Sequence, residues 1–186
     1  MKKEGNSALN IFLRYAIMIL FGILNAGFFY IIFTPLTIYP VYFLLKIFFG
    51  ASLIGNVLFV HNFPVEIIGA CVAGSAYLLL LVLNLSTPKI KLSRRIGIFF
   101  FSFSLLLAVN VLRIFTLSGI LVSGSSLFDL AHKIFWYAGS ILFVAGIWFL
   151  SVKLFKLKEI PFYSDIKYLW NKLRKDMKKS KHSKKH

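Results

Sequence analysis

Of 186 residues, 59% are hydrophobic and 15% charged, and a soluble domain of this size has no interior large enough to hide so much apolar surface, so lipid is the expected solvent for most of the chain. The net charge of +16 would suggest nucleic acid in a soluble protein. Here twelve of the 22 Lys and Arg follow Val152 in a run ending KKSKHSKKH, with no aromatic residue among the final lysines, so anionic membrane lipid is the expected partner and nucleic acid is not.

A spanning helix needs about 20 apolar residues, and four segments qualify. The first runs from about Tyr15 to Phe33 and stops at Thr34-Pro35. It is longer than a signal-peptide core and has no convincing small-residue cleavage site, so it is read as retained. The next stretch, LTIYPVYFLLKIFFGASLIGNVLFVHNFPVEII, is apolar but broken by Pro40, Lys46, Gly50, Gly55, Asn56 and Pro64. It reads as an interfacial helix over about Leu36–Phe49, then a hairpin-like element, all on one face of the membrane. The remaining spans are Gly69 to Leu85, Ile96 to Leu117 and Ile134 to Val152. The expected fold is therefore an all-α membrane protein. It has about four transmembrane helices, an extracytoplasmic interfacial helix and a short β-hairpin-like element. Residues 1–152 form the membrane-embedded domain and 153–186 a basic cytoplasmic tail, partly disordered.

Cytoplasmic loops carry the excess of Lys and Arg. On the four-span arrangement nineteen of the 22 fall on one side, leaving only Lys46, Arg113 and Lys133 on the other. Both termini are thus expected in the cytoplasm.

Three polar residues fall at one depth. Cys71 precedes Lys89 by 18 residues and Arg113 follows Arg95 by 18; each interval is roughly 27 Å at 1.5 Å per residue. His132 precedes Lys153 by 21 residues, roughly 31 Å. With a hydrocarbon core about 30 Å thick, all three sit near the outer leaflet. Taken singly, each has a plain reading: Cys71 as apolar filler, Arg113 as a snorkelling cation, His132 as a helix cap. Together, on three spans, they fit nucleophilic chemistry. A thiolate is the attacking species and is favoured beside a cation or imidazolium. His132 suits proton exchange with the thiol, and Arg113 suits an oxyanion or an anionic group. Asn110, three residues before Arg113, lies on the same helix face, placed to orient it or to add a donor. Asp129, three before His132, either holds the imidazole or stands as a solvated acid at a helix N-terminus; the second reading is preferred, and Asp129 is kept as a supporting candidate. Glu66 is the other acid on this side. Cys71 is the only cysteine, which rules out an intramolecular disulfide. His61, His132, His182 and His186 fall in no CxxC or HExxH pattern, so no metal or other cofactor is expected.

The ordered set IIGACVAG, NVLRI and LAHKIF, preceded by LLKIFFGASLIGNVLFV, resembles the exosortase/archaeosortase family of membrane cysteine transpeptidases over roughly residues 36–152. The resemblance implies Cys71 as nucleophile, with Arg113 and His132 as its catalytic partners. It implies substrates that are surface proteins ending in a short motif, a transmembrane helix and a basic tail. These would be cut at the outer face, with the new C-terminus passed to a lipid or glycan acceptor. Ala and Val flank Cys71 where many bacterial members have Cys-Ser-Gly, a pattern closer to the archaeal type. The competing expectation is a non-catalytic multi-span protein, a transporter subunit or assembly factor, in which Cys71 packs and Arg113 binds headgroups.

Overall fold

The computed structural model describes residues 2–23, 27–61, 63–88 and 90–157, with 166, 169–171 and 174 beyond them. Most of the tail expected after Val152 therefore lies outside the described residues. Helix α1 spans Lys2–Ile23 and α2 Gly27–Phe49. Strands β1 (Ser52–Ile54), β2 (Val57–Val60) and β3 (Phe63–Glu66) follow, then the single turn α3 (Gly69–Val72), α4 (Gly74–Ser86) and α5 (Leu92–Val122). Helix α6 (Phe128–Ile134), a π-helical turn (Phe135–Gly139) and α7 (Ser140–Leu154) complete the order.

Among the described residues three segments are long and apolar enough to cross a membrane: Gly27–Phe49, Gly69–Ser86 and Leu92–Val122. The pair Phe128–Tyr137 and Ile141–Leu154, bent by 49°, makes a fourth if counted as one span. Three to four membrane-length helices thus stand against the four spans expected, and the first of them is displaced. Thr34-Pro35 ends nothing. Helix α2 runs through Pro35 and Pro40 to Phe49, so the segment expected as an interfacial helix is the second half of a full-length helix. Proline costs about 3 kcal/mol inside an isolated helix. Apolar helices packed against neighbours absorb the lost bond, and α2 is packed in this way, with Ile38, Val41 and Leu45 at 0–4% exposure. The apolar part of α1, Ile11–Leu20, is too short to qualify.

The hairpin-like element is a three-stranded antiparallel sheet in the order β1-β2-β3. Gly55, at φ +60°, turns the chain between β1 and β2, supplying the extra strand. Alternate residues of the central strand, Leu58 and Val60, are fully buried, as the two-residue period of a strand with one covered face requires. They join Ile67, Val72, Val111 and Ile114 in a core beneath the sheet. A second core centres on aromatic rings. Phe33 stacks on Tyr77 at 3.7 Å, and Phe99 meets Phe103 edge-on at 4.1 Å, tying α2, α4 and α5 together.

Candidate active site

Cys71 lies in the single turn of α3, which Ala73 closes in the left-handed conformation (φ 60°, ψ 36°) before α4 begins. The sequence GACVAG permits the interruption because Gly69 and Gly74 present no side chain to α2. The ring of Tyr30 rests against both, and a Cβ at Gly74 would stand 2.9 Å from two of its carbons. At this break the Cys71 carbonyl accepts two side-chain donors from α5. Asn110 Nδ2 donates at 2.8 Å and Arg113 Nη2 at 3.3 Å. Asn110 is 3% exposed, so this bond serves a polar group that apolar surroundings would otherwise strand. Asn110, expected to orient Arg113 or to add a donor, thus bonds the backbone of Cys71 alongside Arg113.

His132 is carried by α6, where its ring stacks on Phe128 (5.6 Å, 14°) and meets Trp136 edge-on (6.0 Å, 68°). The spacing of four residues on either side places these rings above and below it on one helix face. The π-helical turn that follows bends the chain away into α7. Such turns accompany functional sites more often than chance.

Cys71, Arg113 and His132 line one cavity of about 160 Å³. Its remaining wall is mostly apolar and includes Ile114, Leu117, Leu121 and Phe135. The half-buried Cys71 thiol borders both this cavity and a wider-mouthed one of about 490 Å³ on the side of Lys133 and Tyr137. The residues expected at one depth are therefore gathered in space. Asp129 is not among them: it is exposed in the first turn of α6 and outside both walls, where it complements the helix dipole. Glu66 and Ser118, by contrast, stand in the cavity wall. The first had a readable signal, since the chain runs straight from β3 into α3 and brings an acid to within five residues of the cysteine. Ser118 had none beyond helical spacing from Arg113. Among the described residues no group of three or more His, Cys, Asp or Glu is gathered to hold a metal ion.

Comparison with family models, curated proteins and solved structures yields no match, so the chemistry of this site is read from its own geometry.

Proposed function

We propose that this chain is a membrane cysteine transpeptidase or peptidase of the exosortase/archaeosortase type. It cleaves C-terminal sorting signals of surface proteins and transfers the new C-terminus to a lipid or glycan acceptor. The observation that carries this reading is the convergence of Cys71, Arg113 and His132 on one cavity. The Cys71 thiolate attacks the scissile carbonyl carbon. Electrons move onto the oxygen, and the guanidinium of Arg113, a planar fork of N–H donors held beside Cys71, steadies that oxyanion. His132 takes the thiol proton and returns it to the departing amine as the C–N bond breaks, leaving a thioester. The acceptor's hydroxyl or amine then attacks the thioester and releases the thiol. Apolar walls suit a substrate presented from a membrane helix, because they exclude competing water.

The charge partition puts both termini in the cytoplasm and the site at the outer face. As the only cysteine, Cys71 reports this directly: a membrane-impermeant maleimide should label it on intact cells, and labelling only after lysis would invert the orientation. The decisive experiment is co-expression with a tagged sorting-signal substrate, its cleavage read as a mobility shift. Serine nearly matches cysteine in size but ionises far less readily. Cys71→Ser should therefore leave substrate uncut at unchanged enzyme level, while the wild type accumulates a hydroxylamine-sensitive thioester. Full processing by Cys71→Ser would return the cysteine to packing and the chain to a non-catalytic role.

A further inference from the structure

Glu66 ends β3 opposite Val57 in the sheet register. The next residue, Ile67, donates its N–H to the Asn56 carbonyl at 3.0 Å and is 3% exposed. The strand end is thereby fixed, and α3 starts two residues later. One short rigid connection thus delivers both Glu66 and Cys71. The two cavities that meet at Cys71 share four lining residues, Glu66, Cys71, His132 and Trp136.

His132 has its ring stacked on Phe128 and set edge-on to Trp136, so its nitrogens must find partners in the ring plane. A neutral imidazole that takes a proton from a thiol on one nitrogen carries an N–H on the other, and that N–H needs an acceptor. The charged and titratable groups around it are few. Helix α3 offers the Cys71 thiol itself. Helix α5 offers Arg113 and α6 offers Lys133, which only donate, and the π-helical turn offers the Tyr137 phenol, which lines the wider cavity only. Asp129, on His132's own helix, is exposed like Glu66 but lies outside both walls. The carboxylate in both walls is Glu66.

We propose that Glu66 is the positioning residue of this site: its carboxylate accepts the His132 imidazole N–H and fixes the ring for proton exchange with Cys71. This rests on the Cys71–His132 reading above.

Because Cys71 is the only thiol, its alkylation by iodoacetamide tests the idea on the full chain in lipid vesicles without a substrate. The rate is followed by mass spectrometry between pH 5 and 9. Two effects of Glu66 have opposite signs. A carboxylate acting directly on a nearby thiolate repels it, so its removal speeds alkylation. A carboxylate acting through an imidazolium supports the thiolate, so its removal slows alkylation. Glu66→Gln should slow alkylation near neutral pH about tenfold, the scale of losing one hydrogen bond to a charged group. Glu66→Asp should recover part of the rate. In a His132→Ala background Glu66→Gln should not slow the reaction at all, because the coupling runs through the imidazole. Equal slowing in both backgrounds would mean that Glu66 acts through general structure and would overturn the proposal. Acceleration of the parent chain by Glu66→Gln would overturn it too. If His132→Ala alone left Cys71 reactivity unchanged, the Cys71–His132 pairing itself would fall. A loss confined to Glu66 is thus separable from failure of the whole site.

Discussion

Two of the arginines of helix α5, Arg95 near its start and Arg113 two-thirds of the way along, are each set on backbone carbonyl groups together with an asparagine. Arg95 reaches back to the end of α4. Its Nη2 donates to the Thr87 carbonyl at 2.9 Å and its Nη1 to the Asn84 carbonyl, while Asn84 Nδ2 returns a bond to the Arg95 carbonyl at 3.1 Å. Asn84 and Thr87 are 0–2% exposed. These acceptors belong to the last turn of a helix, where carbonyls have no intrahelical partner, and each one left bare would cost about 1–3 kcal/mol. Arg113 and Asn110 use the same chemistry on the single carbonyl of Cys71. What differs is the neighbourhood. Arg95 closes a helix end, whereas Arg113 borders a cavity with a thiol and an imidazole in its wall. An arginine bound to carbonyls in an apolar protein is by default a staple. The open space, the thiol and the imidazole beside Arg113 are what support the chemical role proposed for it.

The sharpest way to break that comparison is to make one substitution at both positions. Lysine keeps the charge but loses the fork of donors. Arg113→Lys should cut substrate processing about a hundredfold, the scale of losing an oxyanion donor, with a small change in thermal unfolding of the detergent-solubilised protein. Arg95→Lys should do the reverse, lowering stability by about 2 kcal/mol through bare carbonyls while each folded molecule processes normally. Similar phenotypes at the two sites would mean that Arg113 is a second staple and no more.

Much of this was readable in the residues, and the exceptions share a cause. Long apolar runs announced most of the membrane-length helices, and helical rise alone grouped Cys71, Arg113 and His132, which line one cavity. Those signals are local or additive along the chain. Pro35 and Pro40 misled because the usual cost of proline assumes water on the open carbonyls. In α2 the surrounding helices change that balance, and only tertiary structure says so. The third strand was missed because Ser52–Ile54 is too short to show a period of two before its partner is known. Glu66 lay in plain view five residues before Cys71. Asp129 drew notice from its i,i+3 spacing to His132, although the solvated reading was preferred; it lies outside both cavity walls, whereas Glu66 lines them.

A smaller effect separates the same two regions at glycines. The Cβ of Gly74→Ala would lie 2.9 Å from two carbons of Tyr30 and 3.1 Å from a third, a ring caught between helices. That of Gly97→Ala meets one atom of Phe155 at 3.1 Å and the next only at 3.7 Å, a single contact that a shift of a few tenths of an ångström in the ring would relieve. Gly74→Ala should lower stability by about 2 kcal/mol through overpacking and reduce processing, since α3 sits on the same contact. Gly97→Ala should be neutral or gain a few tenths of a kcal/mol from helix propensity. Thermal unfolding of the two variants side by side decides it. Equal losses would mean that the packing around the Cys71 break is no tighter than elsewhere.

The smallest effect concerns backbone conformation. Ala73, beside Cys71, and Lys156, after α7, both hold positive φ, at 60° and 50°. Lys156 ends a helix: its N–H donates to the Lys153 carbonyl at 3.3 Å and that of Leu157 to Val152 at 3.0 Å, the paired closure that normally takes glycine. Ala73 ends the α3 turn and starts α4, and its carbonyl accepts from Ala76 and Tyr77 at 2.9 and 3.3 Å. A side chain in this region costs roughly 1–2 kcal/mol, while glycine returns about 0.5–1 kcal/mol of that by loosening the unfolded chain. Lys156→Gly and Ala73→Gly should each therefore raise stability by about 0.5 kcal/mol, read as a small upward shift in thermal unfolding. The reactive region should show itself in a second measurement. Ala73 also lines a small cavity with Asn110 and Arg113, so loosening it should let the Cys71 carbonyl wander from its two donors and slow Cys71 alkylation. Lys156→Gly should leave that rate untouched. If Ala73→Gly stabilised the chain and left Cys71 reactivity unchanged, the left-handed turn would be an ordinary helix joint like the one after α7.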